Sequence, residues 1–403
     1  MELSTFQAIA IVESLRAGIP TRLSTRFVPN VRTTVVDSIQ QDWQASQGLW
    51  PQGRVIWGAY GQGKTHLLTQ VEHLALDQGF ATSRIALSKG VSGARLDILY
   101  AKLVSSLRTP NSTQLGIQHL LYQQQSKRLV ESPIQELDRY LHPLPALVLE
   151  TLFHAEPEER ELLYGGLAGE SLPLAELRRI YKSSYRQTLP TFPERFQVKK
   201  HFGAYFGVMA DTLRWLGFRG WVILLDELEL VGRLGPNARA QAYLNLDWLL
   251  NWSQQQPYPI YTIGAAALTL ENDVFENGRR DKYVLAHSEK LKLSDEERRR
   301  LQAFFDRITD KTQCKMLVSL PPEATEKVLR AVESIYRQAW PDTPPGEAWV
   351  KAQTVSGPLR TQIRALLEFL DIQRIYQSEA VVQGGSLVES SLAETKDFEE
   401  AVT

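Results

Sequence analysis

The spacing of apolar and polar positions divides the chain into a mixed front, a long helical middle, a short strand-rich stretch and a helical end. Phe6 to Leu15 reads as a helix, stopped by Arg-Ala-Gly-Ile-Pro at 16–20. Thr34 to Trp43 is a second amphipathic segment, and Gly48, Pro51 and Gly53 after it are turn residues. Arg54–Trp57 is a short β-type run ending in a glycine-rich loop. Thr65 to Gln78 then places Leu67, Leu68, Val71, Leu74 and Ala75 on one helical face, with Gly79 where a helix stop belongs. Phe80 to Leu87 is the next strand. The predicted opening is strand, loop, helix, strand: one βαβ unit.

Between about 90 and 215 helical spacing dominates, in Leu96–Leu107, Leu115–Gln125, Pro133–Tyr140 and Leu144–Phe153. Trp221–Leu225 is continuously apolar, as a strand covered on both faces would be. Pro259–Ala267 reads as a further buried strand, and Tyr283–Ala286 as a short one. Past Leu291 the pattern is helical to about Tyr376, after which no periodicity survives and a flexible tail is expected. The fold class this predicts is α/β, a P-loop parallel sheet with a helical insertion and a C-terminal α-helical lid. The expected divisions are a helical arm over 1–50, the α/β domain over 51–290 with its insertion at about 90–215, the lid over 291–376 and the tail over 377–403.

Composition narrows the function classes. The 403 residues, 43% hydrophobic and 23% charged, match a globular chain with room for one large or two ordinary cores. No apolar run approaches the roughly 18 residues of a membrane helix, and the N-terminus lacks a secretory pattern, so a cytoplasmic protein without a membrane partner is expected. One cysteine, Cys314, excludes an internal disulfide framework and a multi-cysteine zinc site. A net charge of −1 does not announce a nucleic-acid partner. Any DNA contact has to come from a local patch, and the arginines at 16, 22, 26 and 32 make the N-terminal arm locally basic.

The chemistry is concentrated in two places. Gly58-Ala59-Tyr60-Gly61-Gln62-Gly63-Lys64-Thr65 fits G-x-x-x-x-G-K-[ST] at every fixed position, with His66 next on the helix. Glycines let backbone N–H groups wrap phosphate oxygens, and the helix beginning at Lys64 aims its positive end at the anion. Lys64 supplies charge to the β- and γ-phosphates of ATP, and the Thr65 hydroxyl is a Mg²⁺ ligand. The second place is Trp-Val-Ile-Leu-Leu-Asp-Glu at 221–227. A buried strand ending in Asp puts a carboxylate at the carboxyl edge of the sheet, where ligands of open α/β folds bind. Asp226 is the expected Mg²⁺ holder and Glu227 the expected base toward attacking water.

Arginines complete the candidate set. Arg360 precedes an amphipathic helix carrying Ile363, Leu366, Leu367 and Leu370, where a lid arginine can approach the γ-phosphate. Arg279 and Arg280 are candidates for a finger entering a neighbouring subunit's site. The Tyr261–Ala265 strand end should carry a polar residue near the attacking water, and Thr262 is the nearest one. Arg233 and Arg239, in the segment after the acidic pair, are candidate DNA or intersubunit contacts.

These motifs, in this order, are similar to AAA+ ATPases of the origin-recognition and helicase-loader type. More closely, the chain resembles the ATP-binding proteins of bacterial BREX-type phage-defence systems, particularly BrxD-like members. The residues behind this are Ile11–Pro20, Gly58–Leu68, Ser88-Lys89-Gly90 and Leu224–Leu230 (Leu-Leu-Asp-Glu-Leu-Glu-Leu). The resemblance implies an AAA+-like fold and an ATPase that acts on DNA with a helicase or other defence-system protein. It also implies a homo-oligomer with sites completed between subunits. Two other readings stay open: a slow nucleotide-gated scaffold or signalling ATPase without direct DNA contact, and a small-molecule phosphotransferase.

Overall fold

Trp-Val-Ile-Leu-Leu-Asp at 221–226 is buried along its whole length because it is an interior strand of a five-stranded parallel sheet, paired on both sides. The computed structural model describes residues 3–45, 50–125, 134, 137–310 and 314–376. Its strands are β1 (Arg54–Gly58), β2 (Ala81–Ala86), β3 (Trp221–Asp226), β4 (Ile260–Ala267) and β5 (Lys315–Leu317), in the order β2-β3-β4-β1-β5. Alternate side chains of β3 serve opposite cores, as the period of two requires. Val222 and Leu224 pack with Leu67, Leu68 and Val71 of the helix Lys64–Asp77, while Trp221, Ile223 and Leu225 meet Tyr100, Phe206 and Leu213 of the helical insertion. Each fully buried side chain of this kind contributes about 1.5–3 kcal/mol. Helices cover both faces, which explains the unbroken apolar run.

Strand order decides where the site lies. β1 pairs with β4 and β5, so the crossover from β1 to β2 passes two intervening strands. The expected βαβ unit is therefore present in sequence order, but its two strands are not neighbours. Gly58 is level with Ala267 of β4, and Asp226 with Ala86 of β2. The end of β1, the end of β4 and the acidic end of β3 consequently share one edge of the sheet.

The chain divides into two compact units, Arg32–Val318 around the sheet, and Met1–Val31 with Ser319–Thr403. In the second unit, helices Thr5–Ala17 and Arg22–Phe27 pack with Pro322–Ala339, Ala348–Gln353 and Leu359–Tyr376 around Ile11, Val12, Val332, Leu366 and Leu370. The first of these helices opens on a capping box between Ser4 and Gln7 and stops at Gly18, φ 70°. Residues 1–31 thus share a core with C-terminal helices, and residues 32–50 and 291–318 go with the sheet, a division drawn differently from the one the sequence suggests.

Two predicted elements are corrected. Tyr283–Ala286 is not a strand: Asp281–Val284 is a short helix, fixed by the buried Asp281 carboxylate on Arg239. The stretch after Leu291 is not helical throughout, because β5 interrupts it and extends the sheet beside β1. The expected tail, the turn at Gly48 and the start of the Pro133–Tyr140 segment lie outside the described residues.

Candidate active site

The loop after β1 is shaped by left-handed glycines. Gly61 (φ 78°) and Gly63 (φ 85°) turn the backbone so that Lys64 and Thr65 open the helix Lys64–Asp77. A Cβ on Gly63 would meet nothing within 4 Å, so its requirement is conformational rather than steric. Gln62 Oε1 accepts from the Ala59 amide at 2.8 Å and ties the loop to itself. Tyr60 stands at the tip, 59% exposed. The Lys64 ammonium donates to the carbonyls of Gly58 (2.9 Å) and Ala59 (3.2 Å), which holds it across the loop. Burial pulls its pKa below the ordinary lysine value, opposed first by Glu229 and then by Asp226 and Glu227. An ammonium held in such a place gains from an arriving phosphate.

Asp226 is almost fully buried at the end of β3 and accepts from the Glu227 amide at 3.1 Å through Oδ1. Its other oxygen lies 3.5 Å from the Arg84 guanidinium of β2. Arg84 also donates to the Thr69 hydroxyl, which donates in turn to the Thr65 carbonyl at 2.9 Å. Side chains therefore link the acidic strand end to the first turn of the phosphate-loop helix. Glu227 is an exposed residue held at φ 59°, ψ 43°, a left-handed conformation that non-glycine residues rarely adopt. Partial desolvation, then the carboxylates of Asp226 and Glu229, push its pKa above the usual glutamate range. A raised pKa strengthens a carboxylate as a proton acceptor. His66 is driven the other way: burial, then the charges of Arg84 and His73, bring it down to about 4. The Gln70 side-chain amide lies 3.0 Å from His66 Nε2.

The residues present fit magnesium. Mg²⁺ takes one or two protein oxygens and completes its octahedron with phosphates and water. The Thr65 hydroxyl and the buried Asp226 carboxylate would supply that pair, whereas no group of three or more His, Cys, Asp or Glu that could hold a metal occurs among the described residues. Such a site is finished by the nucleotide.

The other sequence candidates fall elsewhere. Thr262 is buried in mid-strand opposite Ile223, short of the sheet edge, so it is not the polar residue at the β4 end. That place holds Ala267, whose amide donates to Glu229 Oε2 at 2.9 Å. Arg279 and Arg280 are exposed beyond the π-helical turn Leu270–Glu276, Arg279 donating to the Leu234 carbonyl at 3.1 Å. Arg239 is buried in a two-pronged pair with Asp281, at 2.7 and 2.8 Å, which removes it from the exposed contacts expected of it. Arg233 is exposed. Arg360 belongs to the helical unit, where it donates to the Ala17 carbonyl at 3.3 Å. Three residues that sequence reading gave no place in the site belong near it. They are Arg84, Glu229, and Arg32, which donates to the Val318 carbonyl at 2.7 Å and to the phosphate-loop Gln62 carbonyl at 3.4 Å.

Strand order, loop and acidic strand end together define a P-loop nucleotide-binding protein of the α/β class. Residues 3–128, which include the glycine loop, match the family model for BREX system ATP-binding protein BrxC/D. The resemblance read from the residues is borne out over that segment, and it supports ATP as the nucleotide; Asp226 and Glu227 lie beyond it. A solved structure similar to the chain is that of the Aeropyrum pernix ORC1 protein in complex with DNA, at 13% identity and a TM-score of 0.36, covering 91% of this chain and 67% of that one. No curated protein matches the chain. Among the described residues no helix is long and apolar enough to cross a membrane.

Proposed function

We propose that the chain is a magnesium-dependent AAA+-type ATPase of a BREX-like phage-defence system, acting as a DNA-associated switch or helicase-loader component. The observation that carries the ATPase part is the meeting of two features on one sheet edge. These are a glycine loop carrying Lys64 and Thr65, and a strand end carrying a buried Asp226 and an exposed, left-handed Glu227. In this reading the loop amides and Lys64 bind the phosphates, and Thr65 and Asp226 hold Mg²⁺, which supplies charge neutralisation at the phosphates when bound. Glu227 takes the proton of the attacking water. The products are ADP and phosphate.

The defence-system assignment is supported by the family match over residues 3–128. Action on DNA and with a helicase extends the motif resemblance to helicase loaders. Assembly as a homo-oligomer is the role in which the exposed Arg279 and Arg280 serve a neighbouring site. Phosphate release measured against protein concentration, with and without DNA, tests these parts separately. A rate per chain that rises with concentration and with DNA is expected. A flat, DNA-insensitive rate would favour the nucleotide-gated scaffold, and a phosphorylated product other than phosphate would favour the phosphotransferase. Glu227→Gln should keep ATP binding and lose at least about 100-fold in turnover, the scale of a positioned proton acceptor. Normal turnover in that variant would remove Glu227 from the role.

A further inference from the structure

Gly264-Ala265-Ala266-Ala267 ends β4 without a polar side chain, yet the run has a definite use. A Cβ on Gly264 would come within 2.6 Å of Leu228 Cδ1, and Leu228 is buried against the strand. The small residues are the floor on which the segment after β3, Leu228–Arg233, lies. Lying there, it brings Glu229 over the end of β4, where its carboxylate takes the Ala267 amide at 2.9 Å. Ala267 is level with Gly58, the first residue of the phosphate loop, whose carbonyl accepts from Lys64. Glu229 is also the carboxylate with the strongest pull on the Lys64 ammonium. Three residues past Ala267 the chain enters the π-helical turn Leu270–Glu276, which leads to Arg279 and Arg280. π-Turns are frequent at functional sites.

We propose that Glu229 is a positioning residue that reads the γ-phosphate: without nucleotide it holds the end of β4 by the Ala267 amide and opposes Lys64 as counter-charge. A γ-phosphate taking Lys64 repels the same carboxylate and loosens its hold on Ala267. Occupancy is thereby relayed to the segment carrying Arg279 and Arg280. Glu229 thus supplies, from another strand's end, the polar group that β4 lacks. The inference rests on ATP binding at the glycine loop.

Two substitutions separate charge from hydrogen bond. Glu229→Gln keeps an oxygen acceptor for the Ala267 amide and removes the charge, whereas Glu229→Ala removes both. Affinity for Mg-ATP and Mg-ADP is measured by equilibrium titration. Hydrogen exchange is followed in peptides covering Ala267–Glu276. Both variants should bind Mg-ATP roughly three- to tenfold more tightly than the parent, the size of one screened unit charge nearby, with a smaller change for Mg-ADP. Without nucleotide, exchange at Ala267–Glu276 should be fast in Glu229→Ala and parent-like in Glu229→Gln. ATP should speed it in the parent and leave Glu229→Ala unchanged. Unaltered ATP affinity in Glu229→Gln, or equal exchange in the two variants, would overturn the proposal alone. A parent chain that binds no Mg-ATP would overturn it together with the reading on which it rests.

Discussion

Glu227 combines the proposed proton-acceptor position with a conformational cost. A non-glycine residue in the left-handed region costs on the order of 1–2 kcal/mol, and the structure around it must hold it there. Glu227→Gly should therefore stabilise the nucleotide-free protein by about 1 kcal/mol in urea denaturation while abolishing turnover. Unchanged or lowered stability would show that the backbone there is not strained. His66 contributes a pH dependence of its own. Its folded pKa of about 4 lies below the ordinary histidine value, so the unfolded chain binds the extra proton between those values. Stability attributable to His66 is complete above about pH 6.5 and falls as pH drops toward 4, by at most about 3 kcal/mol. His66→Gln should flatten the fall in melting temperature across that window; an unchanged slope would rule His66 out as its source. At this scale the site was half legible in the sequence. Gly58–Thr65 and Asp226-Glu227 declare themselves by fixed local spacing. Arg84 and Glu229 do not, because their partners Asp226 and Ala267 are 142 and 38 positions away and are met only through strand register.

At the scale of elements, the carboxyl edge is held by two packed contacts that test independently. The first is the seat of Leu228 on Gly264: Gly264→Val forces a branched side chain into that contact and should cost about 1–3 kcal/mol as overpacking. A variant as stable as the parent would mean that the Leu228–Arg233 segment moves freely off β4. The second is the buried Arg239–Asp281 pair, joined at 3.0 Å by the Tyr243 hydroxyl. Asp281→Asn leaves the Arg239 charge buried without its counter-charge and should cost about 3–5 kcal/mol in chemical denaturation. A loss below about 1 kcal/mol would show that water reaches the pair. The sequence expectation for 283–286 fails on this pair, since Tyr-Val-Leu-Ala looks β-like while the tertiary ion pair closes a helical turn that starts two residues earlier. β5 is not legible because three residues are too few to show a period, and its place is set by pairing with β1. β1, β3 and β4 are legible because each is a largely apolar run, whereas β2 carries Thr82, Ser83 and Arg84 and is marked by its place after the Gly79 helix stop.

At the scale of the whole molecule, chain order does not follow spatial order. The sheet unit takes residues 32–318, and the first thirty-one residues share a core with helices more than 300 positions away. The amphipathic spacing of Phe6–Leu15 announces an apolar face but not its partner, so a separate arm over 1–50 was the natural expectation. The proposed ATPase nevertheless depends on one local event, the binding of one magnesium-bound triphosphate by the glycine loop and the end of β3. Calorimetric titration of ATP with magnesium into the full chain, beside Lys64→Ala and Asp226→Asn, tests it most directly. The parent should give a saturable isotherm with one site per chain, Lys64→Ala no measurable heat, and Asp226→Asn binding that no longer responds to magnesium. No heat with the parent, or isotherms from Lys64→Ala that match it, would contradict the account.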